Sequence, residues 1–257
     1  MSKILCEIKG SLAFVTLSNP GKLNALDVAM WTDLRQQFET LSHNEDLRCI
    51  LLSGADGNFA AGADIEEFAT VRNTLSSGMH YHMHTIALTL EAITQCIHPV
   101  IAAIEGVCIG GGLEIACACD IRIAAPAARF GIPVNRLGFP LAPGELQGLL
   151  ELTGKAVALE ILLEGRVFDA AEAKDKGLIH RLADDVSAEA LATASRIVRG
   201  APLAARMNKK MVGRLISSAE ALDEQELKNA FAFLESKDYP EGVASFLDKR
   251  APQFTGK

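Results

Sequence analysis

The segment best suited to chemistry is a run of three glycines followed closely by a carboxylate. It reads Val107-Cys108-Ile109-Gly110-Gly111-Gly112-Leu113-Glu114 and opens a predicted helix. Glycines allow positive φ and leave backbone N–H groups uncovered, and a helix N-terminus favours negative charge, so the segment suits an oxyanion or a phosphate. It does not fit the G-x-G-x-x-G nucleotide fingerprint, because Ile115 occupies the last glycine position. The alternative interpretation is that the glycines only permit close helix-to-strand packing.

A second turn of small residues lies at positions 59–65, shortly after a predicted strand. It could supply another uncovered N–H group, and two such groups can together form an oxyanion hole. Asp64 in this turn could be catalytic. Its place just before Ile65-Glu66-Glu67-Phe68 is more typical of a helix N-cap, which is the interpretation we favour.

Regular elements must bring these segments together. Short strands are predicted at residues 4–8, 12–17, 49–52, 100–104 and 121–124, with a hairpin turn at 9–11 between the first two. Helices are predicted over about 26–41 with Asp27 near the start, over about 80–96, from Gly111, and through most of the chain from Glu145, with Pro202 suited to a helix start. Repeated alternation of strand and helix favours an α/β fold with parallel strands.

Length and composition limit the classes of protein to consider. A chain of 257 residues that is 49% hydrophobic and 22% charged fits one main domain with a helical appendage. A net charge of -7 argues against nucleic acid or an anionic membrane as partner. Since no apolar stretch approaches 20 residues and the first ten residues lack a signal-peptide pattern, we expect a cytoplasmic protein. The six scattered cysteines are expected to be reduced thiols.

Several further segments follow one another along nearly the whole chain. Besides the two above they are Asn19-Pro20-Gly21-Lys22-Leu23-Asn24-Ala25-Leu26, Cys119-Asp120-Ile121-Arg122, Phe130-Gly131-Ile132-Pro133, Gly165-Arg166-Val167-Phe168 and Phe246-Leu247-Asp248-Lys249-Arg250-Ala251-Pro252. Each is weak alone. Their order and spacing together resemble the crotonase (enoyl-CoA hydratase/isomerase) superfamily.

The resemblance implies an architecture and a class of substrate. We expect a ββα-superhelix core over residues 1–195 that binds acyl-CoA, and a helical C-terminal region over residues 196–257 that serves trimerisation. A homotrimer or a dimer of trimers is expected. The resemblance implies no metal and no bound redox cofactor, since coenzyme A is part of the substrate.

The resemblance also assigns roles to individual residues. The backbone N–H groups of Ala63 and Gly111 would form the oxyanion hole, where losing one donor costs roughly 3 to 4 kcal/mol. Glu114 would be the first catalytic glutamate, acting as general acid or base; otherwise it is only a partner of the helix dipole. The CoA-binding residues would be Ala61, Asp64, Ile65 and Lys249, the last from a neighbouring subunit unless it is simply a solvated lysine.

One departure from the family pattern bears on the reaction. In the family's hydratases a second glutamate directly follows the proline of Phe-Gly-x-Pro, whereas here Val134 follows Pro133. Hydration of a trans-2-enoyl-CoA to the 3-hydroxyacyl-CoA remains the leading reaction, although it benefits from two carboxylates. The alternatives are Δ3-Δ2-enoyl-CoA isomerisation, which can use one carboxylate, another crotonase reaction such as hydrolysis or decarboxylation, and a non-catalytic acyl-CoA-binding subunit.

Other residues could compensate for the missing glutamate. Glu145, at the start of a predicted helix, could place its carboxylate in the pocket from a different position, or it could face solvent or another subunit. Asn135 is a candidate for orienting water. The triplet His80, His82 and His84 invites a metal interpretation, but only His80 and His84 share a helix face and no carboxylate ligand is evident nearby, so we favour a polar face or pocket rim.

Overall fold

The computed structural model describes residues 1–257 and contains nine strands and eleven α-helices. The strands are β1 Lys3–Lys9, β2 Leu12–Ser18, β3 Cys49–Gly54, β4 Val100–Ile104, β5 Val107–Ile109, β6 Ile121–Ala124, β7 Arg129–Gly131, β8 Phe168–Asp169 and β9 Arg181–Leu182. The helices are α1 Val28–Ser42, α2 Phe68–Val71, α3 Leu75–His80, α4 Ala87–Thr94, α5 Gly111–Ala118, α6 Pro143–Glu164, α7 Ala170–Asp175, α8 Val186–Val198, α9 Pro202–Ser217, α10 Glu224–Phe231 and α11 Asp238–Leu247.

The main sheet has six strands in the order β1-β2-β3-β4-β6-β9. The first pair is the predicted antiparallel hairpin, in which Lys9 faces Leu12 across the turn. All later neighbours are parallel, as the alternation of strand and helix predicted. Each of the five predicted strands is present within two residues of its predicted ends. β4 is buried along its whole length, which explains its unbroken run of apolar residues.

A second, smaller sheet has the order β5-β7-β8 and was not predicted. Its strands are only two or three residues long, too short to show an alternating pattern. This sheet positions the glycine run, because β5 leads directly into α5. The N–H of Gly110 donates to Gly131 O in β7 at 2.8 Å, which fixes the turn between β5 and α5.

The predicted helix over residues 80–96 is interrupted. α3 ends at His80, a π-helical stretch follows over Tyr81–Ile86, and α4 begins at Ala87. The wider π turn buries Tyr81 and Ile86. The apolar spacing of α4 cannot reveal such a local change of period, and π turns occur often at functional sites.

The C-terminal part is helical, as predicted. The predicted boundary at residue 195 lies within α8, which packs on the main sheet and ends at Val198, and three further helices follow it. These helices leave large apolar side chains uncovered, including Phe246, which is 84% exposed. No helix is both long enough and apolar enough to pass through a bilayer.

Candidate active site

Two backbone segments approach each other at the start of α5. The turn that follows β3 runs beside β5, where Ala60 N donates to Val107 O at 2.9 Å and Ile109 N donates to Ala60 O at 3.0 Å. A Cβ on Gly112 would lie only 2.3 Å from Ala60 O, so the helix can pack here only because this residue is glycine. Close packing, the alternative sequence-based interpretation of the glycine run, is therefore present, and ligand approach stays a prediction.

Two glycines hold the turn and the helix start at short range. Gly62 has φ +100°, a conformation that side chains disfavour, and a Cβ there would lie 3.0 Å from Ile109 O and 3.2 Å from Gly111 N. A Cβ on Gly111 would lie 2.8 Å from Cζ2 of the buried Trp31 and 3.5 Å from Ala63 N. Glycine at these positions keeps the space between the two segments open.

The N–H groups of Ala63 and Gly111 have no acceptor within the chain. Gly111 is the first residue of α5, where helical N–H groups lack an intrahelical partner. Ala63 forms an isolated parallel bridge with Leu26, in which Leu26 N donates to Gly62 O and Asp64 N donates to Leu26 O, and this bridge fixes the turn. Two free donors therefore lie side by side at the wall of one cavity.

Glu114 lies one turn into α5 and is only 6% exposed. Its carboxyl group lines the same cavity as the two N–H groups. Burial raises its pKa well above the usual range for glutamate, and the nearby charge of Glu145 raises it further. A carboxyl group whose pKa is raised by burial holds its proton more strongly than an exposed one, which suits a general acid.

Glu145 is also inside the cavity, with only 4% of its surface exposed. It is the third residue of α6, and its Oε2 accepts a hydrogen bond from Ala142 N at 3.3 Å, an N-terminal capping arrangement. Its Oε1 lies 2.5 Å from Nδ1 of His82 in the π-helical stretch. Of the two sequence-based interpretations of Glu145, the structure shows the carboxylate in the pocket and not at the solvent-facing surface.

Small residues allow α6 to bring this carboxylate inward. A Cβ on Gly144 would lie 2.8 Å from the Cβ of Ala87, the first residue of α4, and one on Gly148 would lie 3.3 Å from the Cβ of Cys117 in α5. The start of α6 is therefore packed closely against both α4 and α5. These contacts explain why Glu145 and Glu114, on different helices, face one cavity.

The cavity has a volume of about 760 Å³ and mostly apolar walls. Val134, which stands where the family's second glutamate is expected, is 8% exposed and forms part of the wall. Phe68 contacts both Phe139 and Tyr81 in edge-to-face geometry, and the guanidinium of Arg72 lies 3.9 Å from the Phe139 ring centroid. Cavities of this size and character suit a small organic ligand.

One end of the cavity carries a charged cluster that sequence reasoning missed. Lys22 lines the cavity and donates to Asp64 at 2.6 Å and to Glu66 at 2.8 Å, and both hydrogen bonds raise its pKa. Asp64 also accepts from Glu66 N at 3.2 Å, which is the predicted N-cap arrangement. Ala61 and Ile65, predicted to contact CoA, line this end with Asp64.

Two predicted site residues do not line the cavity. The side chain of Asn135 donates to Leu163 O at 2.7 Å at the end of α6, and it does not line the cavity. Lys249 follows α11, is exposed and lies outside the cavity of its own chain. Its assignment to the CoA phosphates of a neighbouring subunit stays a prediction.

The histidine triplet divides as its helical spacing predicted. His80 and His84 lie on one face with ring centroids 5.2 Å apart, and both are exposed. His82 points to the other side and lines the cavity, where no sequence signal placed it beside Glu145. No three histidine, cysteine, aspartate or glutamate side chains lie close enough to hold a metal ion, and all six cysteines are free.

Comparison with known proteins places this architecture in context. A sequence model of the family described as Enoyl-CoA hydratase/isomerase matches residues 7–257. The chain is 39% identical to a probable enoyl-CoA hydratase of Mycobacterium bovis, with 98% of this chain and 97% of that protein covered. It is 33% identical to a peroxisomal Delta(3,5)-Delta(2,4)-dienoyl-CoA isomerase of Arabidopsis thaliana, with 95% and 92% covered.

Solved structures resemble the chain over almost its whole length. An enoyl-CoA hydratase/carnithine racemase from Magnetospirillum magneticum matches with a TM-score of 0.96 and 44% identity, covering 99% of this chain and 96% of that one. An enoyl-CoA hydratase from Bacillus anthracis matches with a TM-score of 0.90 and 30% identity, covering 99% of both chains.

Proposed function

Since the chain belongs to the enoyl-CoA hydratase/isomerase family, we propose that it hydrates a trans-2-enoyl-CoA to the 3-hydroxyacyl-CoA. Membership confirms the predicted superfamily, the crotonase-type α/β core and an enzyme that acts on acyl-CoA thioesters. The finer proposal rests on one observation. Glu114 and Glu145, two buried carboxyl groups from different helices, line one cavity beside two unpaired backbone N–H groups.

The two N–H groups supply the first element of the proposed mechanism. The thioester oxygen would accept hydrogen bonds from Ala63 N and Gly111 N, which draws electron density toward the oxygen and makes the β-carbon electrophilic. When water adds, negative charge develops on that oxygen as an enolate. Donors that are already in place stabilise this charge without reorganisation, which is why the contribution is large.

The two carboxyl groups divide the proton transfers. A water molecule attacks the β-carbon, a C–O bond forms, and Glu145 takes a proton from the water. Glu114, whose pKa is raised by burial and by the nearby charge of Glu145, gives its proton to the α-carbon as the enolate returns to the thioester. Proton transfer from Glu145 to Glu114 through the next water restores the site. The net change is addition of one water across the double bond.

Isomerisation is the second candidate, and Val134 favours it. This apolar side chain replaces the carboxylate that the family's hydratases place there, and both oxygens of Glu145 already accept hydrogen bonds. A site in which only Glu114 moves protons would shift a double bond by removing a proton at one carbon and returning it at another. The proposal of hydration requires that Glu145 take part despite its hydrogen bonds.

Other parts of the proposal follow from the family. No resident metal or redox cofactor takes part in the proposed chemistry. The exposed apolar side chains of α9, α10 and α11 are proposed to bind other copies of the chain in a trimer or a dimer of trimers. Lys249 of a neighbouring copy is proposed to approach the adenosine phosphates of CoA.

An assay of the purified protein with crotonyl-CoA in deuterated water tests the function. We expect 3-hydroxybutanoyl-CoA carrying deuterium at the α-carbon. A 3-enoyl-CoA supplied in parallel tests the alternative, because an isomerase converts it to the 2-enoyl-CoA without adding water. Conversion of the 3-enoyl substrate with no hydration of either substrate would replace the proposal by isomerisation.

A further inference from the structure

The contact between His82 and Glu145 is the feature of this site that the mechanism above leaves unexplained. Nδ1 of His82 lies 2.5 Å from Oε1 of Glu145, and the two side chains are 16% and 3% exposed. Because a carboxylate oxygen only accepts, Nδ1 must carry the hydrogen of this bond when Glu145 is ionised.

The surroundings fix both partners of this contact. The His82 ring is in edge contact with the buried ring of Tyr81, with centroids 5.3 Å apart. The π turn sets the direction of His82, and the close approach of Gly144 to Ala87 sets the distance of the first turn of α6. By contrast, the other hydrogen bond to the Glu145 carboxylate, from Ala142 N, is long at 3.3 Å. His82 is therefore the stronger of the two constraints on this carboxylate.

We propose that His82 is the positioning residue of the site: its Nδ1–H holds Oε1 of Glu145 and orients the carboxylate toward the water that adds to the enoyl group. This inference rests on the proposed hydration. It explains how a glutamate from α6 replaces the family's second glutamate, whose place Val134 takes. It also gives a reason for the π turn, because a regular helix would direct the side chain of residue 82 differently.

The test compares variants at position 82 with a matched control on the same element. His82→Phe keeps a ring but removes the donor, His82→Asn keeps a donor near the place of Nδ1, and His84→Phe changes an exposed histidine two residues away. We expect His82→Phe to lower kcat for hydration by at least about tenfold, as loss of orientation does, with KM changed by less than about twofold. His82→Asn should recover most of the activity, and His84→Phe should match the wild type.

A double variant tests whether the two residues act together. If His82 acts through Glu145, His82→Phe/Glu145→Gln should be no slower than Glu145→Gln alone, since effects within one unit do not multiply. Multiplying effects would overturn the proposal, as would an unchanged kcat in His82→Phe. An equal loss in His84→Phe would also overturn it, because the effect would then belong to the helix as a whole.

A spectroscopic test does not depend on turnover. Nitrogen-edited proton NMR of the wild type should show one imidazole Nδ1–H signal that exchanges slowly with water and is absent in both His82→Phe and Glu145→Leu. Survival of that signal in Glu145→Leu, or its absence from the wild type, would overturn the contact. A wild type that shows the signal but hydrates no enoyl-CoA would instead remove the proposed function and retain the contact.

Discussion

At the scale of single residues, the proposed mechanism assigns the central proton transfer to Glu114. Glu114→Gln keeps the shape and the hydrogen-bonding capacity of the side chain but cannot give or take the proton. We expect kcat on an enoyl-CoA substrate to fall at least about a hundredfold with little change in affinity for CoA. Steady-state kinetics with isothermal titration of CoA would measure both, and unchanged turnover would remove Glu114 from the mechanism.

The same substitution makes a separate prediction about stability. Burial raises the folded-state pKa of Glu114 above its unfolded value of about 4.3. The contribution of Glu114 to the stability of the wild type is therefore fully present below that pH and is lost as the pH rises toward the folded-state pKa. Glu114→Gln cannot ionise and escapes this loss. Its free energy of unfolding relative to the wild type should therefore rise between pH 5 and pH 8, by up to about 1.4 kcal/mol per pH unit.

Thermal unfolding at the two pH values would measure this difference. Glu45→Gln is a suitable control, because Glu45 is exposed and should show no such pH-dependent gain. A Glu114→Gln variant that gains nothing between pH 5 and pH 8 would show that the carboxyl group is not kept neutral by burial.

Sequence reasoning reached some of these residues and not others. Glu114 stands in a recognisable motif, and Asp64 precedes a helical pattern, so both were found from the chain alone. Lys22 lies within a segment that carried the family resemblance, but nothing in its spacing indicated its ion pairs with Asp64 and Glu66. His82 could not be linked to Glu145 because their 63-residue separation is closed only by tertiary packing.

At the scale of elements, the site depends on how closely the turn after β3 approaches α5. Gly62→Ala would place a Cβ 3.0 Å from Ile109 O and 3.2 Å from Gly111 N, at a φ of +100° that alanine disfavours. The turn must shift, and the Ala63 N–H shifts with it. We expect kcat to fall about a hundredfold, in line with loss of one oxyanion donor.

Gly10→Ala provides the matched control for this change. Gly10 also has positive φ, +61°, but a Cβ there meets nothing within 4 Å, since the residue lies in the β1-β2 hairpin. It should lower stability and leave kcat unchanged. Equal losses of kcat in both variants would indicate general strain and contradict the assigned role of the Gly62 turn.

Long elements with a repeating apolar pattern could be predicted from the sequence, and short elements could not. The predicted parallel core, the hairpin and α1 with its Asp27 cap are all present, because burial imposes repeating patterns on long segments. The three short strands of the second sheet and the π turn depend on tertiary contacts and leave no such pattern.

At the scale of the whole molecule, the C-terminal helices present an apolar surface that a single chain leaves in water. Phe246 and Leu247 at the end of α11 are 84% and 72% exposed. We expect Phe246→Asp to convert the proposed oligomer to smaller species in light scattering, since a buried carboxylate is costly. Leu5→Asp on the outer face of β1 is the control and should leave the mass unchanged. A wild type that is monomeric at micromolar concentration would contradict the oligomeric proposal.

If two buried carboxyl groups share the proton transfers of one hydration site, Glu145→Gln should separate hydration from α-proton exchange. The measurement follows hydration of crotonyl-CoA and α-proton exchange of a saturated acyl-CoA in deuterated water with the same protein. Glu145→Gln is expected to lose hydration by at least about a hundredfold and to keep exchange, which needs only Glu114 and the two N–H groups. Hydration by Glu145→Gln at the rate of the wild type would contradict the proposal that Glu114 and Glu145 share the proton transfers.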